Sequence, residues 1–198
     1  MKKIIRMIIV MTLMASLLVG CSSEETTPEN NSEMMTGKHH AEIVIKDYGT
    51  IKVELDADVA PISVTNFVTL AKSGLYDGLK FHRIISGFMI QGGDATSKGK
   101  NLESIKGEFS ANGIENSISH KRGVISMART NEPDSATSQF FIMHQDNESL
   151  DGQYAAFGHV TEGIEIVDKI CENTPVTDMN GSVEEKNQPE IETIKVVD

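Results

Sequence analysis

One arginine lies in an apolar stretch of this sequence, and its placement needs a chemical explanation. It is Arg83, within residues 81–94, which read FHRIISGFMIQGGD. Two apolar segments flank a Ser-Gly turn, and Gln91 ends the second segment. A guanidinium in a segment that faces a packed interior destabilises the fold unless it is paired or used for binding. Two interpretations stay open at this point: an ion pair with an Asp or Glu, and a cation presented to a ligand.

Three later segments combine apolar residues with isolated polar ones in a similar way. They are residues 123–129 (GVISMAR), 138–142 (SQFFI) and 150–158 (LDGQYAAFG). From residue type alone, the simplest interpretation of the large apolar side chains in these and the first stretch is a core: Phe88, Met89, Phe141 and Leu150.

Motifs of nucleophilic or metal-dependent catalysis are absent from the sequence. It contains no C-x-x-C, H-E-x-x-H, G-x-x-x-x-G-K-[ST] or G-x-S-x-G. His82, beside Arg83, is predicted to be structural. Ser126 and Ser138 have no activating base in a recognised sequence pattern and are predicted to form hydrogen bonds within strands. The sequence therefore predicts no metal and no cofactor.

The spacing of apolar residues predicts the elements that position these segments. Alternation at 43–45 and 51–55 around a Tyr-Gly turn indicates a hairpin. A helix is predicted to begin at Pro61 and to end before Gly74, and a second short helix to cover 164–170. Further strands are predicted at 81–85, 88–90, 123–128, 139–143, 154–160 and 191–197. Since strands and helices do not alternate, the pattern favours an antiparallel sheet closed or stacked on itself, with helices at its ends.

The N-terminal residues indicate export and anchoring. Three basic residues precede an apolar run at 7–20, which is shorter than the roughly 20 residues that span a bilayer. The run ends LVGC, which resembles the lipobox of bacterial lipoproteins, in which the cysteine, here Cys21, is acylated. The alternative is an ordinary signal peptide with a chance cysteine. We expect a signal peptide at 1–20, a flexible polar tether at 21–40 and one folded domain at 41–198, lipid-anchored at the extracytoplasmic face of a cell membrane.

The charge of the chain argues against nucleic-acid binding. The formal net charge is −11, and the predicted signal peptide contains three of its 18 basic residues. No basic block remains in the predicted domain that could neutralise a phosphate backbone.

The four segments, in this order and spacing, resemble the signatures of the cyclophilin family of peptidyl-prolyl cis-trans isomerases. The resemblance covers about residues 41–197. It implies a mainly β fold, a closed eight-stranded antiparallel β-barrel capped by two α-helices. It further implies a cofactor-free, monomeric enzyme that rotates X-Pro bonds and assists the folding of exported proteins, with proline-containing peptides and unfolded chains as partners. The alternative is a binding module or holdase of the same fold with little turnover.

The resemblance also implies roles for individual residues. Arg83 is implied to donate a hydrogen bond to the prolyl nitrogen of the twisted peptide bond, and Gln91 to hold the guanidinium. The residues implied to contact the substrate are Phe88, Met89, Ala128, Arg129, Gln139, Phe141, Leu150 and Tyr154. Familiar members of the family have asparagine at the position of Arg129. The chain also contains no tryptophan, and Ser149 lies where drug-sensitive members carry one, so the resemblance implies weak binding of cyclosporin A.

Overall fold

The computed structural model describes residues 34–198. The predicted signal peptide, Cys21 and most of the predicted tether lie outside the described residues. Within the described part of the chain, no helix is long and apolar enough to cross a membrane.

Eight strands and two helices make up the domain. The strands are β1 (Lys38–Ile45), β2 (Gly49–Asp56), β3 (Phe81–Ile85), β4 (Met89–Gly92), β5 (Val124–Met127), β6 (Phe140–Met143), β7 (Ala156–Glu162) and β8 (Ile191–Val196). The helices are α1 (Pro61–Lys72) and α2 (Ile164–Asn173). All strands belong to one antiparallel sheet with the spatial order β3-β4-β6-β5-β7-β2-β1-β8. The prediction of a mainly β, antiparallel domain with two helices is confirmed.

The predicted closure of the barrel is wrong, because the curled sheet stays open between its edge strands β3 and β8. Among residues 34–198 these two strands share no ladder. The segment that precedes β8 lies along β3 instead and is joined to it by isolated bridges, Arg83↔Ser182 and Lys80↔Glu190. A 3₁₀ turn at Glu185–Asn187 interrupts this segment, and Pro189 has no N–H to donate, so a continuous ladder cannot form.

The first strand begins earlier than the predicted domain boundary at residue 41. Lys38, His39 and His40 already pair with β2. The backbone N–H of His40 donates to Asp198 Oδ1 at 2.5 Å, and Val197 N–H donates to the carbonyl of His40 at 3.0 Å. Residues 38–40 therefore belong to the folded domain and not to the tether, because their backbone groups find partners in two neighbouring elements.

A buried carboxylate fixes the start of α1. Pro61 occupies the first turn, where its missing N–H has no cost. The N–H groups of Ile62 and Ser63 each donate to Glu108 at 2.8 Å, and the Ser63 hydroxyl donates to the same carboxylate at 2.6 Å. Glu108 is only 1% exposed. A negative charge at a helix N-terminus is favourable, so this loop residue anchors the helix to the sheet.

Strand alternation divides the apolar residues into two clusters on opposite faces of the sheet. Ile90, Phe140, Ile142, Ile125 and Phe157 point into the main core, where Phe140 packs edge-on against Phe67 of α1 with ring centroids 5.4 Å apart. The neighbouring residues of the same strands form a second cluster: Met89, Val124, Phe141, Met143 and Ala156. The second face carries the residues that the sequence singled out.

Candidate active site

A single cross-strand row on the second face brings the key polar residues together. Strand register places Arg83 of β3 opposite Gln91 of β4, and Gln91 opposite Phe141 of β6. The row continues from Phe141 to Ser126 of β5 and from Ser126 to Ala156 of β7. Directly opposed residues lie about 4.5–5.5 Å apart. Residues that are distant in sequence therefore become neighbours through pairing alone.

Three residues of this row, Arg83, Gln91 and Phe141, border a cavity of about 150 Å³ on this face of the sheet. Its lining consists of Arg83, Phe88, Met89, Gln91, Ala128, Arg129, Phe141, Leu150 and Tyr154. All nine are residues that the sequence analysis predicted to contact or act on a substrate. Gln139, the remaining predicted contact, lies in an adjoining cavity and hydrogen-bonds Gln91. The structure thus brings the predicted site residues of the domain together, while their roles stay predictions.

Arg83 is held by neutral partners. Its Nε–H donates to the carbonyl of Asn180 at 2.9 Å, and its Nη1 donates to Gln91 Oε1 at 3.1 Å. None of the ion pairs found among residues 34–198 includes Arg83. A guanidinium has five N–H donors. In the described part of the chain three of those of Arg83 have no partner, so the ion-pair interpretation does not account for this residue.

A relay of two glutamines orients the guanidinium. Gln91 Nε2 donates to Gln139 Oε1 at 2.9 Å, which directs the Gln91 carbonyl oxygen towards Arg83. Gln139 is itself positioned by its backbone carbonyl, which accepts from Ala128 N–H at 2.9 Å. Because neither amide is charged, the relay holds Arg83 without neutralising it.

The apolar part of the cavity, which we call the apolar slot, is formed by Phe88, Met89, Phe141 and Leu150. Met89 and Phe141 are buried, whereas Phe88 and Leu150 are half-buried. All four belong to the second cluster, separate from the main core. Tyr154 meets Phe141 edge to face, with centroids 5.7 Å apart. The slot therefore has the rigid aromatic walls that suit a small saturated ring.

Arg129 forms one side of the cavity and is fixed from several directions. Its Nε–H and Nη2 donate to the carbonyl of Gln153 at 3.0 and 2.7 Å, and its Nη1 donates to that of Thr130 at 2.7 Å. The guanidinium carbon lies 4.9 Å from the ring centroid of Phe109 and 4.7 Å from that of Tyr154. Cation–π contacts and carbonyl dipoles hold the group in place while leaving its charge intact.

A buried hydrogen-bond network beneath the slot was not predicted from the sequence. Nδ1 of His120 lies 2.8 Å from Asp151 Oδ1, and Nε2 lies 3.1 Å from Ser126 Oγ. Since a carboxylate only accepts, Nδ1 carries the proton and Nε2 of the neutral ring accepts from the Ser126 hydroxyl. Burial lowers the pKa of His120, although Asp151 acts in the opposite direction. His120 is therefore neutral at pH 7.

This network has the residue types of a nucleophilic triad but not its accessibility. Ser126 and His120 are 0% exposed, so no substrate carbonyl can reach the hydroxyl. The His120 ring instead stacks on Phe141, with centroids 6.0 Å apart and an interplanar angle of 16°. Ser126 does have a base beside it, contrary to the sequence prediction, but the network supports the slot wall. Its members come from separate segments, and only the LDG motif hinted at its carboxylate.

The arrangement can stabilise a transient acceptor without forming a covalent bond. Among residues 34–198, Arg83 has N–H groups without a partner and lies beside the apolar slot, and no Ser, Cys, His, Asp or Glu lines the cavity. Such a site favours a reaction in which a neutral atom becomes a better hydrogen-bond acceptor only in the transition state.

Comparison with known proteins agrees with this chemistry. Residues 40–196 match the family described as "Cyclophilin type peptidyl-prolyl cis-trans isomerase/CLD". The chain is 49% identical over 132 residues to the peptidyl-prolyl cis-trans isomerase A of Dickeya dadantii, which covers 63% of this chain and 67% of that protein.

Solved structures give the same result for the fold. A cyclophilin type peptidyl-prolyl cis-trans isomerase of Cryptosporidium parvum superposes with a TM-score of 0.70 at 30% identity, covering 82% of this chain and 99% of that one. A second structure of that protein, determined in the presence of the dipeptide Ala-Pro, gives a TM-score of 0.68 at 31% identity and covers 80% and 99% of the two chains. The protein belongs to the cyclophilin-type peptidyl-prolyl cis-trans isomerase family, a family of isomerases.

Proposed function

We propose that the cavity binds the proline of an X-Pro peptide bond in its apolar slot and that Arg83 catalyses the rotation. Rotation must break the amide resonance, which gives a barrier of about 18–20 kcal/mol. In the twisted bond the prolyl nitrogen regains its lone pair and becomes an acceptor. In the proposed step Arg83 donates to that nitrogen, and the support is that its guanidinium has N–H groups with no partner in residues 34–198. The observation that carries the proposal is this unpaired guanidinium beside the slot.

At the apolar slot, the proline ring of the peptide is recognised by its shape and not by charge. The apolar slot is part of a cavity of about 150 Å³, and a structure of the Cryptosporidium relative was determined in the presence of the dipeptide Ala-Pro. Gln91 keeps Arg83 at the slot rim, and the His120 network keeps Phe141 in place. Because the donor is preorganised, it stabilises the twisted bond more than either planar isomer.

An isomerisation assay on proline tetrapeptides tests this proposal. We expect the full-length protein in detergent to accelerate the reaction and Arg83→Ala to lower kcat/KM on the order of 100-fold, since one preorganised charged donor is lost. Arg83→Lys keeps the charge but not the fork, so it should recover only part of the rate. As a control, Lys52→Gln changes a surface ion pair remote from the cavity and should leave the rate unchanged.

Two outcomes would count against the proposed role of Arg83. Full activity in Arg83→Ala would remove Arg83 from the mechanism. Peptide binding by the wild type without acceleration would favour the alternative of a binding module.

We further propose that the enzyme acts on exported proteins at the outer face of a membrane, anchored through an acylated Cys21. The support is the basic, apolar and LVGC sequence at the N-terminus, together with the polar segment that follows it. We expect mass spectrometry of the mature protein to find Cys21 as the first residue, carrying acyl chains, and Cys21→Ser to release the protein from the membrane fraction. An unmodified or differently cleaved N-terminus in the mature protein would contradict the anchor.

A further inference from the structure

Two cavities of this protein share a cation and have no carboxylate in their linings. The cavity with the apolar slot adjoins a second cavity of about 240 Å³, and both include Gln91, Ala128 and Arg129. The remaining lining of the second cavity is small or polar and uncharged: Thr130, Ser135, Thr137 and Gln139. The chain as a whole has 29 Asp and Glu residues and a net charge of −11. Among residues 34–198, the linings of the paired cavities therefore carry two arginines and no acidic side chain, in a protein that is acidic overall.

The relative position of the two cavities determines what Arg129 can contact. A proline in the slot leaves the side chain of a flanking residue beside the wall that the cavities share. That wall carries Arg129, which is half-buried and pairs with no acid among residues 34–198. In the loop that follows Arg129, Oδ1 of Asp134 accepts hydrogen bonds from Gly107 N–H at 3.0 Å and from Asn112 Nδ2 at 2.7 Å.

Arg129 is also preorganised for a new hydrogen bond. Its four donor contacts go to the backbone carbonyls of Gln153, Thr130 and Asn131, and one Nη2 N–H has no partner in the described part of the chain. The rings of Phe109 and Tyr154 prevent the guanidinium from swinging away. A carboxylate that reaches this group gains a charge-assisted hydrogen bond without ordering a flexible side chain.

We infer that the site selects prolines flanked within two residues by Asp or Glu, and that Arg129 is the residue that determines this specificity. The inference rests on the proposed binding of proline in the slot and adds the class of peptide that the enzyme prefers. Arg83 faces the prolyl nitrogen in the proposed mechanism, so the two arginines have separate tasks.

Isosteric peptides separate charge from shape. Tetrapeptides carrying Glu or Gln at each of the two positions before proline, or at the position after it, are assayed with the full-length protein in detergent. We expect the kcat/KM ratio of Glu to Gln to be about 5 in at least one series, the size of a partly exposed, well-oriented ion pair. Salt at 1 M should bring the ratio towards 1.

Variants of Arg129 test its role through the same ratio. Arg129→Gln should reduce the ratio to about 1, and Arg129→Lys should restore part of it, because the charge returns without the fork. Both peptides are assayed with the same variant. A general loss of activity, caused by loosening of the loops that Arg129 joins, therefore cancels in the ratio. Lys52→Gln, which removes one positive charge far from the cavities, should keep the wild-type ratio.

The failure of this inference differs from the failure of the proposed function. A wild-type ratio of 1 in every series, or an unchanged ratio in Arg129→Gln, would overturn the inference while isomerase activity persists. If the isomerisation of no peptide were accelerated, the proposed catalytic function would be wrong. In that case, titration calorimetry of the same Glu and Gln peptides would still test the specificity, through the ratio of their dissociation constants.

Discussion

At the scale of single residues, the informative feature is that Arg83 forms no ion pair among residues 34–198. The sequence could show that an arginine lies in an apolar strand but not whether a carboxylate meets it. Pairing with Gln91 and with the carbonyl of Asn180 depends on strand register and on a distant loop. The same limit explains the missed network of His120, because Asp151 and Ser126 are 31 and 6 residues away from it in the chain. The sequence shows which residue types are present, whereas their hydrogen-bond partners follow only from the fold.

Two histidines, the buried His120 and the half-buried His82, predict how stability depends on pH. Burial lowers the pKa of His82 and of His120, so the unfolded chain binds these protons more readily than the folded chain. Stability is therefore complete above the unfolded pKa near 6.5 and is lost as pH falls through that value towards the lowered folded pKa. We expect urea unfolding at pH 7.5 and 5.5 to show lower stability at pH 5.5.

Substitution separates the histidines from other acid effects. The carboxyl groups with lowered pKa, such as Asp151 and Asp168, remain ionised in both states over this interval. His82→Gln and His120→Gln should each reduce the difference between the two pH values, and His120→Gln should also lower kcat/KM because Phe141 loses its stacking partner. An equal pH difference in wild type and both variants would rule out this source.

At the scale of elements, alternation along short strands explains why the site could be anticipated. In β4 and β6, one residue faces the main core and the next faces the cavity, so an apolar pair such as Phe140 and Phe141 serves both. The hairpin and α1 formed as predicted, because period and punctuation are local properties. The start of β1 was missed because residues 38–40 are polar, with Lys38 and His40 exposed and His39 half-buried. Their pairing is made by the backbone, which side-chain patterns do not record.

Truncation measures how much this first strand segment contributes. A chain of residues 41–198 lacks the pairs that Lys38, His39 and His40 make with β2 and the bond from His40 to Asp198. It also lacks the bonds of Met35 N–H to Thr65 and of Gly37 N–H to Asp58. We expect it to be less stable than residues 34–198 by about 2–4 kcal/mol, a few net hydrogen bonds. Thermal unfolding of both chains checks this, and equal Tm values would show that the segment does not contribute to the stability of the domain.

At the scale of the whole molecule, the charged side chains of the candidate site are opposite in sign to the net charge of the chain. The chain is acidic overall, yet the cavities of the candidate site contain two arginines and no carboxylate in their linings. Composition indicated the acidic character and argued against nucleic acid as a partner. It could not predict that, among residues 34–198, the cavity linings contain two arginines and no carboxylate, because the fold decides which side chains line them. The open edge of the sheet could not be predicted from the sequence either, since the segment that lies against β3 pairs with it only in isolated places.

That covered edge has a consequence for the proposed role of the enzyme in the folding of exported proteins. An exposed edge strand offers a template on which an extended polypeptide can add and aggregate. In β3 the outward N–H groups of Phe81 and Ile84 are already taken by the carbonyls of Pro189 and Gly181, at 2.9 and 2.8 Å. In the proposed role, an unfolded client is held by its proline and flanking side chains on the face of the sheet, and these two hydrogen bonds keep it from extending the sheet beside Arg83.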